Sequence, residues 1–106
     1  MSEVVVAGGD PEGLGAALAD RGADVSRAAG TATRPALEEA GIVDADILVV
    51  TDADLATSVP IAVDLNSDLR VVVYARDSVP EFVKGQAGHI VDPDLLGPEA
   101  VAEEIV

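Results

Sequence analysis

Short, unbroken apolar runs alternate along the chain with segments whose apolar residues recur at helical spacing. Val4 to Ala7 (VVVA) is continuous and ends in glycines, and Asp46 to Thr51 (DILVVT) and Leu69 to Ala75 (LRVVVYA) share its character. Such runs are expected of strands buried on both faces of a parallel sheet. The shorter runs Ala23 to Arg27 and His89 to Val91 predict two more strands. Between the strands, Pro11 to Arg21 reads as a helix, with Asp10 as N-cap, Pro11 in the first turn and Gly22 as the stop. Arg34 to Ala40 follows Thr33 as cap and ends at Gly41. Asp54 to Asn66 places Leu55, Val59, Ala62, Val63 and Leu65 on one side. Pro60 either kinks that helix or marks its first turn, with Ser58 as cap. Val79 to Gln86, with Phe82 read as a core residue, and Pro98 to Ile105 complete the helices. Strand and helix alternate throughout, so the crossovers are right-handed and the fold is α/β, a three-layer sandwich with a mostly parallel sheet between helices. Residues 1–106 read as one domain, without repeats, linkers or low-complexity segments.

Charge narrows the function. The chain has 20 Asp and Glu against 6 Lys and Arg, a formal net charge of −14 at pH 7, and Lys84 is its single lysine. Nucleic acid and anionic membrane surfaces are bound through Lys and Arg, so neither is an expected partner. An apolar content of 49% with regular valine-rich strands argues against disorder. Many carboxylates, little lysine and an Ala/Val-rich core resemble proteins of extreme halophiles, where surface carboxylates hold water in concentrated salt. No run approaches the roughly 20 apolar residues of a membrane span, and the N-terminus lacks the basic region of a signal peptide. A soluble cytoplasmic protein is expected.

The turn after the first strand, Gly8-Gly9-Asp10-Pro11-Glu12-Gly13, falls where a dinucleotide-binding G-x-G-x-x-G lies. There the first glycine makes the turn, the second admits the pyrophosphate and the third lets helix approach strand. With Gly8 first and Gly13 third, Asp10 takes the second position, setting a carboxylate where a phosphate would lie. Asp10 and Glu12 can instead occupy the positive helix end themselves. The acidic residue that would bind ribose about 20 residues later is also missing, because that count reaches Ala28 and Ala29.

Thr51, Asp52 and Asp54 follow the central strand at its carboxyl end, where ligands bind in open parallel sheets. They are candidate ligand contacts together with Gly8, Gly9, Asp10 and Gly13, and capping is the competing role for Asp54. A receiver-like phosphoacceptor at Asp52 is a further reading. It asks for an acidic pair after the first strand, which Asp10 and Glu12 imitate, and for a lysine after the last strand, where the chain has His89-Ile-Val-Asp-Pro93. Catalytic and metal-binding residues are not assigned: the chain has no cysteine, one histidine and no serine in a nucleophile elbow.

From Gly30 onward, GTATRPALEEAGIVDADILVVTDADLATS, then VVVYARD, then AGHIVDP resembles the N-terminal domain of regulators of potassium conductance, the RCK or TrkA-N family. With the glycine turn, the likeness covers nearly the whole chain. It departs from the family at Gly30-Thr31-Ala32-Thr33, where G-D-A-T is usual, at Asp54-Leu-Ala-Thr57, where Asp-x-x-Asn is usual, and at Tyr74, where an arginine is usual and Arg76 comes two places later. The chain also lacks, between Val25 and Gly30, the family's second crossover helix and third strand. The resemblance implies a shortened, Rossmann-like or flavodoxin-like sheet of five strands ordered 2-1-3-4-5. It further implies a homodimer that binds NAD or a nucleotide and regulates a membrane transporter. The impaired phosphate and ribose contacts direct the expectation toward a non-enzymatic regulatory or ligand-binding module acting through protein partners. A nucleotide- or NAD-binding enzyme subunit and the receiver-like switch are the alternatives.

Overall fold

The valine-rich runs form the central strands of one five-stranded sheet, parallel at every pairing. The structure, a computed structural model, describes residues 2–76 and 78–105. Asp77, the last residue of VVVYARD, and the terminal Met1 and Val106 lie outside the described residues. The elements are β1 (Glu3–Ala7), α1 (Leu14–Asp20), β2 (Asp24–Ala28), α2 (Arg34–Glu39), β3 (Ile47–Val50), α3 (Ser58–Leu65), β4 (Arg70–Tyr74), α4 (Glu81–Lys84), β5 (His89–Val91) and α5 (Pro98–Ile105). The strand order is β2-β1-β3-β4-β5, the expected 2-1-3-4-5.

Alternate side chains of each strand enter opposite faces, which produces two cores. Val5, Leu48, Val50, Val71 and Val73 pack with Leu37 of α2, Val59 of α3 and Val83 of α4. On the other face, Val4, Val6, Val49, Val72 and Tyr74 pack with Leu14 and Leu18 of α1 and Val101 and Ile105 of α5. β1, β3 and β4 are thus buried on both sides beyond the exposed first residues Glu3 and Arg70, the physical reason the rest of each strand is an apolar run. Each such valine contributes roughly 1.5 kcal/mol or more through its burial. Among the described residues, no helix is long and apolar enough to cross a membrane.

Several boundaries differ from the sequence expectation. Helix α1 begins at Leu14 rather than Pro11, because Asp10 to Gly13 closes a separate turn in which the Gly13 N–H donates to the Asp10 carbonyl at 3.1 Å. The predicted helix Asp54 to Asn66 divides into a 3-10 turn at Ala53–Leu55 and α3. Pro60 lies in the first turn of α3, where its missing N–H would have no intrahelical acceptor. Thr57 holds the N-cap position there. Ser58, expected as the cap, is the first helical residue and its hydroxyl donates to the Leu55 carbonyl at 2.7 Å. Phe82 is 49% exposed rather than core. Val83 takes the inner side of the short α4, and Val79, just before the helix, is buried in the same core, which leaves Phe82 turned outward.

Candidate functional site

From β1 the chain crosses to β2 on one side and then returns past β1 to β3 on the other. The crevice beyond the carboxyl ends of β1 and β3 is therefore the topological switch point. A cleft of about 500 Å³ opens there. Its walls are Gly9 to Glu12 after β1, Thr51 to Ala53 after β3, Tyr74 to Arg76 at the end of β4, and Pro93 after β5. Of the sequence-derived candidates, Gly9, Asp10, Thr51 and Asp52 meet at this cleft. Gly8, Gly13 and Asp54 do not line it.

Asp10 is the most constrained residue of the site. It adopts a left-handed backbone, φ 53°, and its side chain is 1% exposed. Its two carboxylate oxygens accept the N–H groups of Leu14 at 2.9 Å and Gly15 at 2.7 Å, and Arg27 Nη2 lies 3.4 Å away. Hydrogen bonds to a charged acceptor contribute about 1.5–3 kcal/mol each, whereas the half-exposed Arg27 adds little through solvent. The first free donors of α1, which a pyrophosphate would use in a dinucleotide site, are thus satisfied by the protein's own carboxylate. Thr51 braces the turn from β3: its hydroxyl donates to the Ala7 carbonyl at 3.3 Å and accepts the Asp10 N–H at 3.2 Å.

Gly8, at φ 121°, lies beneath the cleft against Thr51. Gly13 is the N-cap of α1 with nothing near it, and the glycine whose missing side chain matters is Gly15: a Cβ there would lie 3.0 Å from Asp10 Oδ2 and 3.2 Å from Arg27 Nη2, so Gly15 leaves room for the Asp10–Arg27 pair, while Val25 at 3.6 Å is at ordinary contact distance. The GLG spacing at Gly13 to Gly15 was the available signal for that role. Asp52 caps the 3-10 turn by accepting the Asp54 N–H at 2.9 Å, so the capping expected of Asp54 belongs to Asp52. Arg27, Arg76 and Asp94 were not singled out as site residues from the sequence, and only Arg76 had a marker, its place just after the β4 run.

The acidic groups do not converge. Asp10 faces the helix, Glu12 pairs with Arg76, and Asp52 turns to its own loop. Among the described residues, no three His, Asp or Glu side chains are grouped so as to hold a metal ion. Arg76 donates through Nη1 to Glu12 and through Nε to Asp94 at 2.9 Å, and these two bonds raise its pKa further above the ordinary arginine value.

The buried Tyr74 hydroxyl donates to the Leu96 carbonyl at 2.7 Å. Burial pushes its phenol up, and the nearby Glu12 carboxylate adds to the effect. A raised folded-state value makes this contribution fully present below about pH 10, the ordinary phenol pKa, and lost as pH rises through the folded value. Tyr74→Phe is expected to lower stability by about 1 kcal/mol at neutral pH. It should also flatten the alkaline limb of a urea-unfolding series. An unchanged alkaline limb would show that Tyr74 does not titrate with unfolding.

The five-stranded order and the cleft at its switch point define a Rossmann-like α/β domain. The chain belongs to the family described as a family of unknown function, DUF7126, matched over residues 4–105. No curated protein matches it. Two solved structures share the fold. One is a pilus assembly-related protein from Burkholderia pseudomallei, with a TM-score of 0.69 and 19% identity over 99% of this chain and 87% of that one. The other is a pilus assembly protein, CpaE, from Burkholderia thailandensis, with a TM-score of 0.68 and 18% identity over 99% of this chain and 95% of that one. At these identities the likeness carries the fold alone.

Proposed function

We propose that this protein is a non-enzymatic regulatory or ligand-binding module: a Rossmann-like domain with an impaired dinucleotide site that acts through protein partners, as a homodimer. The observation that carries this reading is the Asp10 carboxylate on the first free N–H groups of α1. A pyrophosphate entering the turn would have to displace it and meet its charge. The switch-point cleft supports a small ligand bound without phosphate, and the tie to potassium transport rests on the RCK/TrkA-N resemblance only. A receiver-like switch is less well supported, since the carboxylates after β1 and β3 each have a separate partner.

The test is a thermal-shift panel in molar KCl with NAD, NADH, ATP, ADP and AMP. A ligand at 100 times its Kd stabilises a fold by roughly 2.7 kcal/mol, which moves the melting temperature of such a domain by several degrees. The wild-type protein is expected to show no such shift. Asp10→Gly, which removes the competing carboxylate, is expected to bind a nucleotide more tightly by about 1 kcal/mol. A wild-type shift with NAD or a nucleotide would overturn the proposal in favour of a nucleotide-using enzyme subunit. Equal affinity in the two proteins would remove Asp10 as the excluding group.

A further inference from the structure

Arg76 leaves the end of β4 and spans the mouth of the cleft. Its Nη1 reaches Glu12 in the turn between β1 and α1, and its Nε reaches Asp94 in the turn between β5 and α5. These partners are remote in sequence, 64 and 18 residues from Arg76, and stand in the turns that follow β1 and β5. The second turn is tied again by the Tyr74 hydroxyl on the Leu96 carbonyl, and it carries Leu95, 81% exposed. Both tethers on this turn therefore originate from the last residues of β4 and the residues just beyond it.

An isolated surface ion pair adds little, because solvent screens it and two long side chains must be ordered. Here one guanidinium is shared by two carboxylates, so ordering Arg76 serves both contacts. Glu12 is the best covered of the three side chains, 28% exposed against 49% for Arg76 and 65% for Asp94. Loss of either carboxylate contact frees Arg76 to move, which weakens the contact on the other side.

We propose that Glu12, Arg76 and Asp94 form a latch that couples the glycine turn to the β5–α5 turn, so that disturbing either turn loosens the other. A ligand that draws Glu12 away from Arg76 then alters the segment bearing Leu95 and Leu96. That consequence rests on the cleft being a ligand site, whereas the coupling stands without it.

Hydrogen exchange read by mass spectrometry on the full chain tests the coupling at one salt concentration. Glu12→Gln is expected to raise exchange roughly threefold in the peptide covering 92–97, across the cleft from the substitution. Asp94→Asn should do the same in the peptide covering 9–13, and Arg76→Gln in both. Lys84→Gln, which breaks the exposed Lys84–Glu81 pair, should change neither. If each carboxylate variant alters exchange only in its own turn, or in neither, the latch is overturned. The two carboxylate variants keep the test informative should Arg76→Gln destabilise the whole fold. Silence in the nucleotide panel bears on the ligand and leaves the exchange result independent.

Discussion

Asp10→Ala is expected to lower the unfolding free energy by about 3 kcal/mol, with a fall in melting temperature of about 10 °C or more. Two costs combine. The substitution leaves the buried N–H groups of Leu14 and Gly15 without their acceptor, and it places a Cβ-bearing residue without a polar side chain at φ 53°. Asp and Asn tolerate the left-handed region through local hydrogen bonding, whereas alanine pays about 1–2 kcal/mol there. Asp10→Asn keeps that tolerance and one acceptor oxygen, so it should cost only about 1 kcal/mol. Asp10→Gly relieves the backbone but loses the acceptor for the Leu14 and Gly15 N–H groups, and falls between them. Urea unfolding of the four proteins should thus rank wild type, Asn, Gly and Ala in decreasing stability. Alanine as stable as wild type would show that the Asp10 bonds to the Leu14 and Gly15 N–H groups do not hold the turn. Alanine equal to glycine would show that the backbone angle carries no cost.

Gly8→Ala should be more damaging still, about 4 kcal/mol or outright loss of folding. At φ 121° an L side chain is strained whatever the space around it, and here a Cβ would also overlap Thr51 Oγ1 and lie 3.2 Å from the Asp52 backbone nitrogen. Thr51 cannot yield freely, because its hydroxyl is held by the Ala7 carbonyl and the Asp10 N–H. Thr51→Ala removes the overlapping oxygen but not the backbone strain. A double-mutant cycle of Gly8→Ala with Thr51→Ala is therefore expected to show a coupling of about 1 kcal/mol or more in favour of the double variant. Additivity within about 0.5 kcal/mol would remove the steric part of this account and leave only the backbone part.

The layers of the fold were legible because burial dictates composition where an element is covered on all sides. β1, β3 and β4 are enclosed by helices on both faces, so apart from the exposed first residues Glu3 and Arg70 they are apolar whatever their partners. β5 and α5 have the predicted limits, the second set by Pro98 at its start. Phe82 was misread because four residues of α4 contain too little periodicity to say which side faces the sheet.

The site was legible only as a place. A glycine turn after β1, polar residues after β3 and an acidic residue at the second glycine position are local facts of the chain. By itself the sequence determined the α/β alternation, the strands buried on both faces and a carboxylate in the turn where a phosphate would lie. Only the tertiary structure decided that this carboxylate is enclosed and bonded to α1 with Arg27 beside it, that Gly15 rather than Gly13 leaves room for that pair, and that Arg76 joins Glu12 to Asp94. The physical reason is range: strand and helix character follows from neighbours a few residues apart, whereas these contacts join groups up to 64 residues apart whose meeting depends on strand order and register.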